Sequence, residues 1–265
     1  MTGGVLPALL LSTMAGLSTA VGSLIAMFSK KNDTRFMSLA LGFSAGVMIT
    51  VSFAELLPEA QKNISLAHPK HGAAISLCFL TAGVAVAAII DLLIPQNVGK
   101  KNVHVSGEHG GAAQASLMHM GIVTAIAITV HNFPEGIATF MAGYSDIKVG
   151  FPVALSIAMH NIPEGIAVAA PIYFGTGKRG KAFLYSALSG LSEPLGALIA
   201  FLCLAPFLNS SSLGGVFGVV AGIMVYIAFG ELVPASERYR RPRAAVTGII
   251  LGTLFMLLIL TASGT

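Results

Sequence analysis

The chain has 265 residues, of which 55% are hydrophobic and only 10% charged, with no Trp and a formal net charge of +4. Soluble domains carry about 25% charged residues, and a chain with so few could not cover its surface in water. The composition excludes a soluble globular enzyme, a disordered chain and a nucleic-acid binder, and it indicates a polytopic membrane protein.

An apolar run of about 20 residues crosses a bilayer as a helix. Eight such runs are present, over 5–28, 36–58, 73–94, 117–142, 150–174, 182–204, 213–235 and 244–262. The first has no basic residue ahead of it and Lys30 and Lys31 directly after it, the reverse of a secretory signal, so it reads as a permanent helix. Between runs lie Ser29 to Asp33, Gln61 to Asn63, Pro95 to Gly111, Gly143 to Lys148, Gly175 to Lys181, Asn209 to Ser212 and Glu237 to Arg243. No loop is long enough for a soluble domain, so residues 1–265 read as one transmembrane domain. Loops after spans 1, 3, 5 and 7 hold twelve basic residues and those after spans 2, 4 and 6 hold three. The richer set belongs in the cytoplasm, which puts both termini outside. Cys78 and Cys203 fall in apolar runs away from any metal-site spacing and read as small core residues.

Two internal repeats stand out. Ala45-Gly46-Val47-Met48 followed by Phe53-Ala54-Glu55-Leu56-Leu57-Pro58 in span 2 returns as Ala221-Gly222-Ile223-Met224 and Phe229-Gly230-Glu231-Leu232-Val233-Pro234 in span 7. His131-Asn132-Phe133-Pro134-Glu135-Gly136-Ile137-Ala138 in span 4 returns in span 5 from His160 to Ala167, identical at seven of eight positions. Each pair is an odd number of spans apart, so its members run in opposite directions. That is the pattern of an inverted repeat, spans 1–3 matching 6–8 and span 4 matching 5, whose interface is where transporters commonly hold substrate.

Five carboxylates lie well inside the spans: Glu55, Glu135, Glu164, Glu193 and Glu231. Each costs about 2.5–3.5 kcal/mol at the bilayer centre, and no Lys or Arg lies at comparable depth. Something positive must join them: protons, alkali ions or divalent metals. His131 and Glu135 share one helix face, as do His160 and Glu164. On antiparallel helices the two motifs would present two His, two Glu and two Asn to one point. Imidazole suits zinc and other first-row metals, and carboxylate and amide oxygens accept harder ions such as Mn²⁺, whereas alkali ions have little use for imidazole. Pro134 and Pro163 free the carbonyls of Val130 and Met159 beside the histidines, and Pro194 frees Gly190 beside Ser189 and Ser192. Glu55 and Glu231, near span ends, read as pore-mouth groups, and Asp91 near the cytoplasmic end of span 3 is similar. Met48 and Met224 are matched thioethers, either core filler or, for Met48, a soft ligand. The loop residues His68, His71, His104, His109 and His119 read equally as metal collectors and as solvated side chains.

The paired His131–Gly136 and His160–Gly165 motifs, Ser192-Glu193-Pro194, and the Met48 and Glu55 segment together resemble the ZIP family of metal transporters, over essentially the whole chain and closest to its compact bacterial zinc-uptake branch. The resemblance implies eight helices in a 3+2+3 arrangement in the bacterial cytoplasmic membrane, and divalent metal uptake into the cytoplasm. It also implies a centre between spans 2, 4, 5 and 6 able to hold two ions. His131, Glu135, His160 and Glu164 would form its first site, with Met48 touching it. Asn132, Asn161 and Glu193 would form the second, sharing Glu135 and Glu164. Asp91 and Glu231 would match acids on the cytoplasmic exit route. The span 3–4 loop offers only His104 and His109, so it makes a poor metal sensor.

Zn²⁺ or another divalent metal is then the bound substrate, and no catalytic cofactor is expected. With carboxylates dominant and no cysteine at the centre, Zn²⁺, Fe²⁺, Mn²⁺, Co²⁺ and Cd²⁺ all fit. The bilayer is the remaining partner, and glycine-rich spans 2, 6 and 7 permit close packing within a protomer or in a homodimer. Three rivals are weaker. A membrane metalloprotease lacks His-Glu-x-x-His. A proton- or Na⁺-coupled carrier of organic solutes would want more aromatic walls than Phe133 offers. A non-transporting metal sensor differs only in flux.

Overall fold

In the computed structural model, residues 4–28, 33–93, 110–207 and 209–263 are described, and every extended element among them is helical. Eight helical segments follow in chain order. They are α1 (Val5–Phe28), α2 (Thr34–Ala67), α3 (Gly72–Leu93), α4 (Gly110–Ser145), α5 (Ile147–Thr176), α6 (Arg179–Leu204), α7 (Ser210–Arg238) and α8 (Pro242–Ser263). Among the described residues, seven of them, α1 to α3 and α5 to α8, are long and apolar enough to cross a membrane. His104 and His109 lie outside the described residues, and the same holds for the side chain of His119.

Local chemistry starts and stops the helices. Asp33 caps α2 by accepting from the Phe36 amide at 3.0 Å, and Asn209 and Ser212 form a reciprocal capping box at the start of α7. Gly177, at a φ of 69° that a side chain would disfavour, ends α5. Helix α2 runs further than its hydropathy suggests, through the polar Gln61-Lys62-Asn63 stretch read from sequence as a break. Lys62 and Asn63 reach back one turn to Glu59, while Ala60 and Ile64 on the other face are buried against α7. A charged face does not end a helix whose other face has a partner.

Both α2 and α7 widen into a π-helical turn, at Ser52–Leu56 and Ala228–Leu232, where the amides of Leu57 and Val233 bond five residues back. Pro58 and Pro234 follow immediately. Lacking an amide and crowding the carbonyl four residues back, each proline is relieved by the wider turn.

The centre of the bundle is α5. Over its most apolar stretch 78% of its residues are buried, against 17% in α3. It packs on α1, α4, α2 and α6, while α3 covers α7 and α8 covers α2. Glycine makes these approaches close. A Cβ on Gly42 or Gly46 would strike the carbonyls of Ala245 or Ile249 in α8, and one on Gly222 would strike Leu80 in α3. Leucines and valines crowd the outer surface, as expected where lipid replaces water. Cys78 and Cys203 are exposed there, correcting their assignment to the core. Their flanking residues are apolar because they meet lipid, which hydropathy alone does not distinguish from a protein interior.

Candidate metal centre

A single residue, Asp146, separates α4 from α5, and its carboxylate caps α5 by accepting from Lys148 N at 2.9 Å. Gly143 and Gly150 touch across this corner so closely that a Cβ on Gly150 would overlap the Gly143 backbone. So short a link fixes the antiparallel register of the two helices, and with it the relative depth of the two repeated motifs. His160 of α5 therefore meets Glu135 of α4, with Nε2 3.2 Å from Oε1. The other imidazole nitrogen, Nδ1, lies 3.1 Å from the Ser156 carbonyl one turn earlier. Pro134 and Pro163 sit inside unbroken helices.

The second layer of the site is built by α6. A Cβ on Gly136 would collide with the backbone of Glu193, and one on Gly196 with the Phe133 carbonyl, so α4 and α6 touch backbone to backbone at the motif. Gly165 and Gly22 do the same between α5 and α1. Helix α6 kinks at Leu191, where its first α-helical stretch ends at Gly190 and the next begins at Ser192. The Gly190 carbonyl that Pro194 cannot bond lies against Gly16 of α1. The Asn161 amide donates to the Glu193 carboxylate and to the Ala15 carbonyl, the latter at 3.0 Å.

Asn132, Glu135, His160, Asn161, Glu164 and Glu193 are all essentially inaccessible to solvent. Glu193 lies within electrostatic reach of both Glu135 and Glu164. Both polar atoms of Asn132, Oε2 of Glu135, Oδ1 of Asn161 and Oε2 of Glu193 lack a hydrogen-bond partner among the described residues. Neither Glu135 nor Glu193 is paired with a lysine or arginine there. Buried polar atoms left unbonded are costly, and these are concentrated where α4, α5 and α6 meet. The side chain of His131 lies outside the described residues. Among the described residues no three His, Cys, Asp or Glu side chains already converge as a ligand set. Instead the amide and imidazole groups are bonded to the carboxylates.

Glu55, though near the end of an apolar run, is buried beside this cluster. Ser156 donates to its Oε2 at 2.7 Å, and its Oε1 has no partner among the described residues. Ser156 was not singled out from sequence, although its place one turn before His160 on the same face was the available signal. Met48 is fully buried in the apolar core that includes Met141 and Met224. Tyr226 of α7 donates to Asp91 of α3 at 2.9 Å, and Glu231 is partly exposed nearby. Tyr226 too went unnoticed in the sequence, where nothing separates it from other aromatics.

Comparison with known proteins decides the family. The sequence profile described as ZIP Zinc transporter matches residues 94–260. The chain belongs to the ZIP zinc transporter family. Among curated ZIP relatives, a protein named zinc transporter ZupT from Lysinibacillus sphaericus is 49% identical, with 97% of each chain aligned. Those of the same name from Streptococcus mutans and Akkermansia muciniphila are 48% and 47% identical, over 94% and 97% of each chain. The matched residues span both His-Asn-x-Pro-Glu-Gly motifs and Glu193.

Proposed function

We propose that this chain carries divalent metal, zinc foremost, into the bacterial cytoplasm through a site between α2, α4, α5 and α6. The curated relatives are named as zinc transporters over nearly their full length. The observation that carries the reading is the group of buried carboxylates, Glu135 and Glu193 above all, with unbonded oxygens and no lysine or arginine partner among the described residues. A divalent cation answers both deficits, charge and hydrogen bonding. Protons alone would answer the charge but give no reason for imidazole.

In this reading α4 is the eighth span, residues 1–265 form one domain, both termini face outside, and the helices form a 3+2+3 inverted repeat. Exchanging α1 with α6, α2 with α7, α3 with α8 and α4 with α5 turns the α1–α5 packing into α6–α4, and the α2–α8 packing into α7–α3. The π-helical turns of α2 and α7 also fall at matched places in the repeat. Both features support the arrangement.

His131, Glu135, His160 and Glu164 hold the first ion, with Met48 at its margin, and Asn132, Asn161 and Glu193 join Glu135 and Glu164 around a second. Binding requires the Asn161 amide and the His160 ring to release their carboxylates and turn oxygen and nitrogen lone pairs inward. A hydrated cation arriving from outside exchanges water for these groups in steps, past Glu55, and leaves past Asp91 and Glu231. The test is zinc uptake into proteoliposomes by wild type, Glu135→Gln and Glu164→Gln. Saturable wild-type uptake, reduced to the protein-free background in both variants, is expected. Undiminished uptake in either variant would move the site elsewhere. Binding without flux would make the protein a sensor.

A further inference from the structure

Four arginines gather at one end of the bundle around a recess of about 460 Å³ between the N-terminal turns of α2 and α8. Arg35 comes from α2, Arg240 and Arg241 from the turn after α7, and Arg243 from the first turn of α8, with Leu39, Pro242, Ala244 and Thr247 completing the lining. Loop arginines in a membrane protein usually act as orientation signals, for which their number matters and their placement does not. Here the placement is built. The buried Ser38 hydroxyl donates to the carbonyls of Ser236 and Arg241, at 2.8 and 3.1 Å, and ties the turn to α2. The Arg241 guanidinium donates through Nε to the Thr34 hydroxyl at 3.3 Å. Arg240 holds a left-handed φ of 54°, the one non-glycine residue to do so among those described, and such strain persists only where the surroundings enforce it.

The four guanidiniums have no carboxylate partner among the described residues. The acid nearest in sequence, Asp33, has Oδ1 bonded to the Phe36 amide. Guanidinium is suited to two-pronged bonding with phosphate oxygens. Beyond the recess the outer face of α8 is apolar, with Val246, Ile250 and Leu254 each more than half exposed. A phosphate group bound among the arginines and attached to an acyl chain would lay that chain along this strip, whereas a soluble phosphate would leave it bare.

We infer that this recess binds the phosphodiester headgroup of an anionic phospholipid. Placing it in the cytoplasmic leaflet rests on the proposed orientation, but the binding itself does not. Anionic headgroups held between the ends of α2 and α8 would brace two helices that flank the transport route. They would couple the lipid composition of the leaflet to the bundle.

The purified full-length protein in detergent is titrated with phosphatidylglycerol or phosphatidylcholine, and bound lipid is counted by native mass spectrometry. Wild type should retain phosphatidylglycerol in preference to phosphatidylcholine. Removing charge with Arg240→Gln plus Arg243→Gln should weaken retention by about fivefold per arginine. The control pair Lys178→Gln plus Lys181→Gln, on a different loop, should not. Arg35→Gln alone, outside the turn, should weaken it about fivefold, which keeps the test open if the turn variant misfolds. Equal losses in the control pair, or equal retention of both lipids, would overturn the proposal. Displacement of phosphatidylglycerol by inorganic phosphate at equal concentration would overturn it in favour of a soluble-anion site. None of these readings depends on metal flux, so this proposal and the transport reading fail separately.

Discussion

The Ser156 hydroxyl donates to the Glu55 carboxylate at 2.7 Å, joining helices 101 residues apart in sequence one turn from the His160 ring. Ser156 also lends its backbone carbonyl to His160 Nδ1, so one residue positions both the Glu55 carboxylate and the His160 imidazole. A hydrogen bond to a charged group contributes about 1.5–3 kcal/mol. Ser156→Ala should therefore lower zinc uptake at limiting concentration by about tenfold, while Ser156→Thr, which keeps the hydroxyl, should stay near wild type. Equal uptake by all three proteins in proteoliposomes would show that the bond has no part in transport.

Gly136 lies against the backbone of Glu193, where a Cβ has no room, whereas the nearest atom to a Cβ on Gly230 is a Tyr226 ring carbon at 3.5 Å. Gly136→Ala should push α6 away from α4, destabilising the protein by about 1–3 kcal/mol and displacing Glu193. Gly230→Ala should be tolerated. Melting temperature in detergent, followed by zinc binding on the surviving fold, separates the two. A Gly136→Ala protein that melts with wild type would mean that the two backbones are less tightly held.

Acid should inhibit uptake. Imidazole binds metal only when neutral, and carboxylate only when ionised. As pH falls, protons compete with the metal for His160 and for the glutamates. The proton-free ligand set thus favours uptake at higher pH, and uptake is lost progressively as pH falls. Uptake measured with a fixed inward zinc gradient from about pH 7.5 to about pH 5 should fall throughout. A flat profile would remove His and Glu from the pathway.

Cys78 and Cys203 face outward. Replacing either with Ala should change stability by less than about 0.5 kcal/mol. A small membrane-permeant thiol reagent should label both in the folded protein. Protection of either until the protein is denatured would return it to the interior.

The sequence by itself determined the helical class and the family. Composition and the length of the apolar runs gave a helical membrane protein, and helix ends agreed closely wherever a cap or glycine was present, as at Gly177. The duplicated His-Asn-x-Pro-Glu-Gly was legible because its meaning lies in spacing along one helix, which three to four residues per turn converts directly into a shared face. Glu193 was legible for the same reason, as an acid that an apolar run would otherwise exclude.

Only the tertiary structure decided which groups meet. Hydropathy measures preference for an apolar phase and is blind to whether that phase is lipid or protein. Cys78 therefore looked like core, and the turn at Lys62 looked like a loop. Asn161 with Glu193 and Ser156 with Glu55 meet where α5 packs on α6 and on α2, and Arg35 meets Arg243 where α2 and α8 approach through Gly42 and Gly248. Those meetings depend on backbone contact across the bundle, a property of surfaces in space that no single run of residues contains.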